Sequence, residues 1–171
     1  DTAGFRKADE YLRAINKSKV YITEVMSSND TIEVSAGSPI SDWAEVYNAG
    51  DTVQDLSGWG LSDNITWPRK WQFPQGTSIW PGEYKVIHLD KSKTPGSDSA
   101  ALRASFALAR AGGEVATLSD PTGRVVDRMV LPEIPTDISY GRSAGKDGFF
   151  YFDSPSPGAV NGIGFTGFAP V

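Results

Sequence analysis

The chain has 171 residues, 39% of them hydrophobic, which is enough for one domain with a single core. Its apolar runs are a few residues long, against the roughly 20 that span a bilayer, so we expect no membrane insertion. The net charge is -5; residues 1–19 carry +2 and the remainder carries -7. This charge argues against nucleic-acid binding, which relies on a basic face.

The N-terminal segment has a helical pattern. Phe5, Ala8, Leu12 and Ile15 recur at three- and four-residue spacing, which predicts a short helix over residues 3–16. We interpret residues 1–19 as a helical linker or the edge of a preceding region. A helix packed on the following domain is an equally simple interpretation. The chain begins without Met, so we expect it to be part of a larger chain.

From residue 20 onward the pattern is that of β-strands. Alternating apolar residues end in turn residues every ~8–12 positions, and this spacing is typical of a sandwich. Strands are predicted over residues 20–25, 43–48, 59–62, 71–73, 84–89, 104–108, 114–119, 124–130 and 138–142. Residues 90–99 are predicted to form a polar loop. Residues 20–171 are therefore expected to form one all-β sandwich domain, with a core that includes Ala44, Val46, Trp59, Leu61, Phe73, Val86, Val115 and Val125.

The order of these segments resembles the lamin tail domain family. The segments are EVMSSN, DWAEVYN, LSGWGLSD, KWQFPQGT and PGEYKVI, then FALARAGGEVATLSDPTGRVVDRM, SYGR and DSPSPGAVN. The similarity spans residues 20–161 and is closest to the bacterial secreted branch. It implies an immunoglobulin-like antiparallel β-sandwich without enzymatic activity, attached as a module to larger proteins. It implies no ligand and no cofactor.

One enzyme-like motif occurs. Residues 141–145 read GRSAG and match G-x-S-x-G, the nucleophile elbow of α/β hydrolases. That elbow needs a helix after Ser143 and a histidine downstream, but the single histidine is His88 and no helical pattern follows. We interpret the motif as a glycine-rich loop and predict no catalytic residues. A lone histidine without cysteine also excludes a multi-histidine zinc site.

Carboxylates are the remaining candidates for a metal site. Asp42, Glu45, Asp63 and Asp90 lie at predicted strand edges and turns. Calcium takes six to eight oxygens, usually from a clustered loop, and no such loop motif is present. We therefore predict no metal, and we expect Asp42 and Asp63 to form turn hydrogen bonds.

The tryptophans supply the best candidate for a surface site. Trp59 and Trp71 are expected to pack, and Trp43 should point away from the core and lie under a loop. Trp67 falls in a polar loop, where its ring either contacts a partner or folds back over the sandwich edge. The predicted ligand-binding residues are Asp63, Asn64, Trp67 and Arg69.

The sequence thus predicts a noncatalytic binding or structural module of a bacterial secreted or cell-surface multidomain protein. Its role would be adhesion, assembly or targeting, with a protein or glycan partner. The absence of cysteine fits a bacterial extracellular location, although it also fits an intracellular protein. Two alternatives are a carbohydrate-binding module and an accessory domain of a hydrolase or a spore-coat kinase-like enzyme.

Overall fold

The computed structural model describes residues 17–92 and 102–167, and every regular element within them is a β-strand. The predicted helix over residues 3–16 and most of the predicted loop over residues 90–99 lie outside the described residues. The strands are β1 (Val20–Met26), β2 (Asp42–Asn48), β3 (Gln54–Asp55), β4 (Gly60–Ser62), β5 (Trp71–Gln72), β6 (Ser78–Ile79), β7 (Tyr84–Leu89), β8 (Arg103–Ala104), β9 (Val115–Ser119), β10 (Val125–Val130), β11 (Ser139–Arg142) and β12 (Phe149–Phe152).

The strands form two main sheets and one small ribbon. The large sheet has the order β12-β11-β1-β2-β7-β8, the small sheet has the order β10-β9-β4-β5, and β3 pairs with β6. All pairs are antiparallel except β7 with β8. One apolar core contains residues from both main sheets and from the ribbon, so the predicted sandwich is confirmed. No helix in the described part of the chain is long and apolar enough to cross a membrane.

Most predicted strands coincide with observed ones, but the predicted strand over residues 104–108 is wrong. Only Arg103–Ala104 pairs with a neighbouring strand there, and Phe106 and Leu108 are buried but lie outside any strand. The sequence pattern does not predict the two-residue strands β3 and β6 or the edge strand β12. Strands β3 and β6 pair only with each other, and the FFYF segment of β12 has no alternation of apolar and polar residues.

The core prediction is correct at five residues in or next to β2, β4 and β5 and wrong at three valines. Ala44, Val46, Trp59, Leu61 and Phe73 are buried. Val86, Val115 and Val125 are only half-buried, and the core positions are taken by the next residue in each case, Ile87, Ala116 and Val126.

The error at Val86 has a physical cause. Strand β7 pairs with β2 so that Ile87 lies opposite Ala44 on the core face, while Val86 lies opposite Glu45 on the outer face. Both faces of β2 are covered: Trp43 and Glu45 are fully buried on the outer face. Where both faces are covered, alternation of apolar residues does not tell which face is the core.

A buried carboxylate links the two sheets. Strand β1 has a bulge between Ile22 and Glu24, and β10 has one between Val125 and Asp127. The Asp127 carboxylate accepts the Ile22 N–H at 2.8 Å and an Arg142 guanidinium N–H at 2.6 Å. Burial raises the pKa of Asp127, and the adjacent Arg142 opposes that rise. Asp127 therefore joins β10 of the small sheet to β1 and β11 of the large one.

The chain after β12 covers the outer face of the large sheet. We call residues 153–164 the strap. The Asn161 amide donates to the carbonyls of Thr23 and Arg142 at 2.9 and 2.8 Å, and the Ser143 hydroxyl donates to the Gly162 carbonyl at 3.1 Å. Beyond the strap, Phe165 forms a bridge with Tyr151. The strap explains why polar outer-face residues of β1 and β2 are buried.

The register of β7 yields a stability prediction. Ile87→Ala should lower the free energy of unfolding by about 2–5 kcal/mol, because it opens a cavity in the core. Val86→Ala should lower it by less than about 1 kcal/mol, because Val86 is half-exposed on the outer face. Urea denaturation of both variants measures the difference. Equal losses would show that the register of β7 is wrong.

Candidate functional site

The loop that carries Trp67 is fixed by its own hydrogen bonds. It connects β4 to β5. The Asn64 side-chain oxygen accepts the Thr66 N–H at 2.9 Å and the Thr66 hydroxyl at 2.7 Å. The Ser62 hydroxyl accepts the Asn64 N–H at 2.9 Å, and the Trp67 N–H donates to the Asn64 carbonyl at 3.0 Å. Asparagine in such turns replaces backbone hydrogen bonds, so the loop is built by local chemistry.

The loop lies directly on the small sheet. A Cβ placed on Gly60 of β4 would stand 2.4 Å from the Pro68 carbonyl oxygen and 2.4 Å from the Ser119 hydroxyl oxygen. That hydroxyl donates to the Pro68 carbonyl at 3.1 Å. Only glycine at position 60 permits this approach. The far side of the loop is therefore presented to solvent in a defined position.

An open cleft runs beside the loop. Its volume is about 350 Å³, and it is lined by Asp63, Asn64, Ile65 and Lys70 on the loop side and by Gly113, Glu114 and Val115 opposite. The Lys70 ammonium forms a 2.8 Å ion pair with Asp63 at the wall of the cleft. It also lies 5.9 Å from the Trp67 ring centre and 5.2 Å from that of Phe106. Both distances are within the range of cation–π attraction.

Apolar surface is exposed at the tip of this loop. Trp67 is 57% exposed and Ile65 is 41% exposed. The ring of Trp67 does not fold back over the sandwich edge to cap the core. Trp71, by contrast, is half-buried and packs edge-on against Phe73 at 4.9 Å between ring centres. An exposed indole beside a polar cleft can stack on an apolar ligand face while neighbouring groups form hydrogen bonds.

The four residues predicted for the site are not all brought together. Asp63 and Asn64 line the cleft, and Trp67 lies beside it. Arg69 does not line the cleft: its guanidinium donates to Gln72 at 2.7 Å and approaches Gly58. Whether these four residues bind a ligand stays a prediction.

Sequence reasoning missed other residues of this surface. Lys70 was not predicted, because its ion pair with Asp63 crosses the loop, and the alternation of apolar and polar residues does not predict the shape of a loop. Glu114 approaches from a distant part of the sequence, and its carboxylate also accepts the Ala109 N–H at 2.6 Å. A second exposed tryptophan, outside this loop and the cleft lining, was not predicted either: Trp80 is 63% exposed in the turn between β6 and β7. The Trp80-Pro81-Gly82 turn in the sequence was the available signal.

The acidic residues weighed as metal ligands are dispersed. Asp42 accepts backbone N–H groups of Leu108 and Asn29, and burial raises its pKa to about 6. Asp63 pairs with Lys70, and Asp90 accepts the Ser92 N–H and hydroxyl. Within residues 17–92 and 102–167, no group of three or more histidine, cysteine or acidic residues is arranged to hold a metal.

The G-x-S-x-G motif does not form a nucleophile elbow. Ser143 follows strand β11 and precedes a turn rather than a helix, and its hydroxyl donates to the Gly162 carbonyl. His88 is on β7, where its Nδ1 lies 3.0 Å from the Ser41 hydroxyl. Burial lowers the pKa of His88, and the charge of Arg103 adds to this effect. Ser143 therefore has no histidine partner in this structure.

The two main sheets are antiparallel except at one pair, and they pack around one core. With their short strands and exposed loops, they define an immunoglobulin-like β-sandwich. The family model of the Lamin Tail Domain matches residues 13–132, and the chain belongs to that family. Domains of this family are generally noncatalytic modules. The C-terminal segments SYGR and DSPSPGAVN lie beyond the matched residues. No curated protein matches the chain.

The tryptophan environments give a direct optical prediction. Trp67→Phe and Trp80→Phe should each remove a large share of the tryptophan fluorescence that iodide quenches, because these rings are 57% and 63% exposed. Trp43→Phe should remove none of it, because Trp43 is fully buried. Stern–Volmer titration of the three variants separates these contributions. An unchanged quenchable fraction in Trp67→Phe would show that the ring is buried.

Proposed function

We propose that this domain is a noncatalytic binding module of a bacterial secreted or cell-surface multidomain protein, and that it contacts its partner through the Trp67 loop. The observation that carries the proposal is the exposed Trp67 ring, held on a rigid loop beside an open cleft. Exposed aromatic area is unfavourable in water unless a partner covers it, and rigid aromatic anchors are typical of binding surfaces. Adhesion, assembly and targeting are the roles that such a module performs.

The electrostatics of the loop support a polar partner. Asp63 and Lys70 neutralise each other, while Asn64 remains exposed and Glu114 lies across the cleft. The loop and the cleft thus present an indole ring face together with hydrogen-bond donors and acceptors. This combination suits a protein loop and also suits a sugar, whose apolar face stacks on indole while its hydroxyls bond to carboxylates and amides. A carbohydrate-binding module is therefore the second candidate.

Trp67→Ala should weaken binding about fivefold, because stacking contributes roughly 1 kcal/mol. Trp80→Ala is the matched control, since it removes an equally exposed tryptophan from another loop.

A glycan array that includes peptidoglycan fragments tests the sugar partner. A photo-reactive phenylalanine analogue at position 67, with position 80 as control, tests a protein partner on the producing cells. Equal signals from positions 67 and 80 in both experiments would refute the role of this loop.

The charge gives a second test. Residues 20–171 carry -7, so the domain should repel a polyanion. Micromolar protein should give no electrophoretic shift of duplex DNA at ~0.15 M salt. A tight shift that weakens with added salt would contradict the proposal and indicate a local basic patch.

A further inference from the structure

Two glutamates form a buried pair on the outer face of the large sheet. Glu24 of β1 and Glu45 of β2 are cross-strand partners, and both are fully buried. Side chains in such positions have their Cβ atoms about 5 Å apart. Neither carboxylate forms a salt bridge with any of the described lysines or arginines. Two unpaired carboxylates at this distance disfavour simultaneous ionisation.

The strap supplies the hydrogen bonds that cover this pair. The Ser156 N–H donates to Glu24 at 3.1 Å. The single proton of the Ser156 hydroxyl is shared between the Asn161 side-chain oxygen at 2.9 Å and Glu24 at 3.3 Å. The Gly158 N–H donates to Glu45 at 2.6 Å. Gly158 has a φ of +80°, a conformation that glycine adopts without strain. The strap is thus held in part by the same two carboxylates that repel each other when both are charged.

The underlying strands complete the environment. The Ser139 hydroxyl of β11 donates to Glu24, and the Thr23 hydroxyl donates to Glu45 at 2.7 Å. A proton on the Glu45 oxygen nearest Thr23 can be donated to the Thr23 hydroxyl, while the other oxygen still accepts the Gly158 N–H. The singly protonated pair therefore keeps every bond to the strap.

The charged and titratable groups around the pair do not offset a second charge. On β2 and β7 the nearest groups are Tyr47 and Tyr84, and the charge of Glu45 itself contributes to raising the pKa of Tyr84. His88 lies further along β7, opposite Trp43. On β11, Arg142 is engaged by Asp127. The strap itself has one ionisable residue, the exposed Asp153 at its start.

We propose that the strap is a pH-dependent latch, closed while the Glu24–Glu45 pair holds a proton and released when the second carboxylate ionises. Burial raises the pKa of both glutamates, and with the added charge of Glu24 the pKa of Glu45 reaches about 7. A raised pKa in the closed state means that the closed state is favoured at low pH. This preference is lost as the pH rises from the ordinary glutamate value toward about 7.

Nuclear magnetic resonance of the folded domain tests the latch. The carboxyl ¹³C shift of Glu45 should titrate with a midpoint near 7, well above that of an exposed glutamate. Amide exchange at Gly158, corrected for the intrinsic pH dependence of exchange, reports the open fraction of the strap. We expect that fraction to increase about tenfold or more between roughly pH 5.5 and pH 8. Amides of the core strands β2 and β9 should show no such increase.

Two variants isolate the cause. Glu45→Gln keeps an acceptor for Gly158 and a donor for Thr23, so the strap should stay closed and its opening should lose the pH dependence. Glu24→Gln removes the like charge and should lower the titration midpoint of Glu45. If Glu45→Gln does not fold, this shift tests whether the two glutamates act as a pair. Asp51→Asn, which alters an exposed carboxylate, should change nothing.

Four results would overturn the latch. The first is a Glu45 midpoint in the ordinary glutamate range. The second is pH-dependent strap opening that persists in Glu45→Gln. The third is an unchanged Glu45 midpoint in Glu24→Gln. The fourth is exchange at Gly158 that rises only together with that of the core strands, because this would indicate global unfolding rather than release of the strap.

Discussion

The carboxylate of Asp127 holds the two sheets together at the place where the ladders of β1 and β10 are irregular. Ile22 lies beside the bulge of β1, and its N–H donates a hydrogen bond to the Asp127 carboxylate. Arg142 supplies the opposite charge. Losing one partner of such a buried pair typically destabilises a protein by about 3–5 kcal/mol, so β1, β10 and β11 keep their relative positions. The Arg142 carbonyl also accepts the Asn161 amide, which connects this tie to the strap.

The strap makes the outer face of the large sheet unlike an ordinary solvated face. Trp43 and Met26 are buried there as cross-strand partners, next to the glutamate pair, and none of the four belongs to the main core. Trp43 was correctly expected to point away from the core. Strand β2 is thus covered on both faces, and at Glu45 the second cover comes from Gly158, more than a hundred positions away along the chain.

This double cover marks what sequence reasoning could and could not predict. Turn residues such as Pro81-Gly82 located the strands well, because turn chemistry is local. The facing of Val86 and Ile87 was not local: both are apolar, and only the pairing with Ala44 and Glu45 decides which one enters the core. Likewise, the polar loop left two positions open for Trp67, exposed or folded back, and the direction of Arg69 depends on Gln72 and the turn at Gly58. Glu114 lies at the cleft because the adjacent strand β9 pairs with β4, and no local sequence pattern predicts that pairing.

The contact between Gly60 and Pro68 divides the Trp67 loop into a fixed base and a variable tip. The base packs closely on β4, because the Pro68 carbonyl occupies the space where a side chain at position 60 would stand. The tip, residues 65–67, faces solvent. The domain therefore has the architecture of a display scaffold: new peptide sequences can replace the tip for directed evolution of binding, provided that Gly60, Asn64, Pro68 and Ser119 are retained.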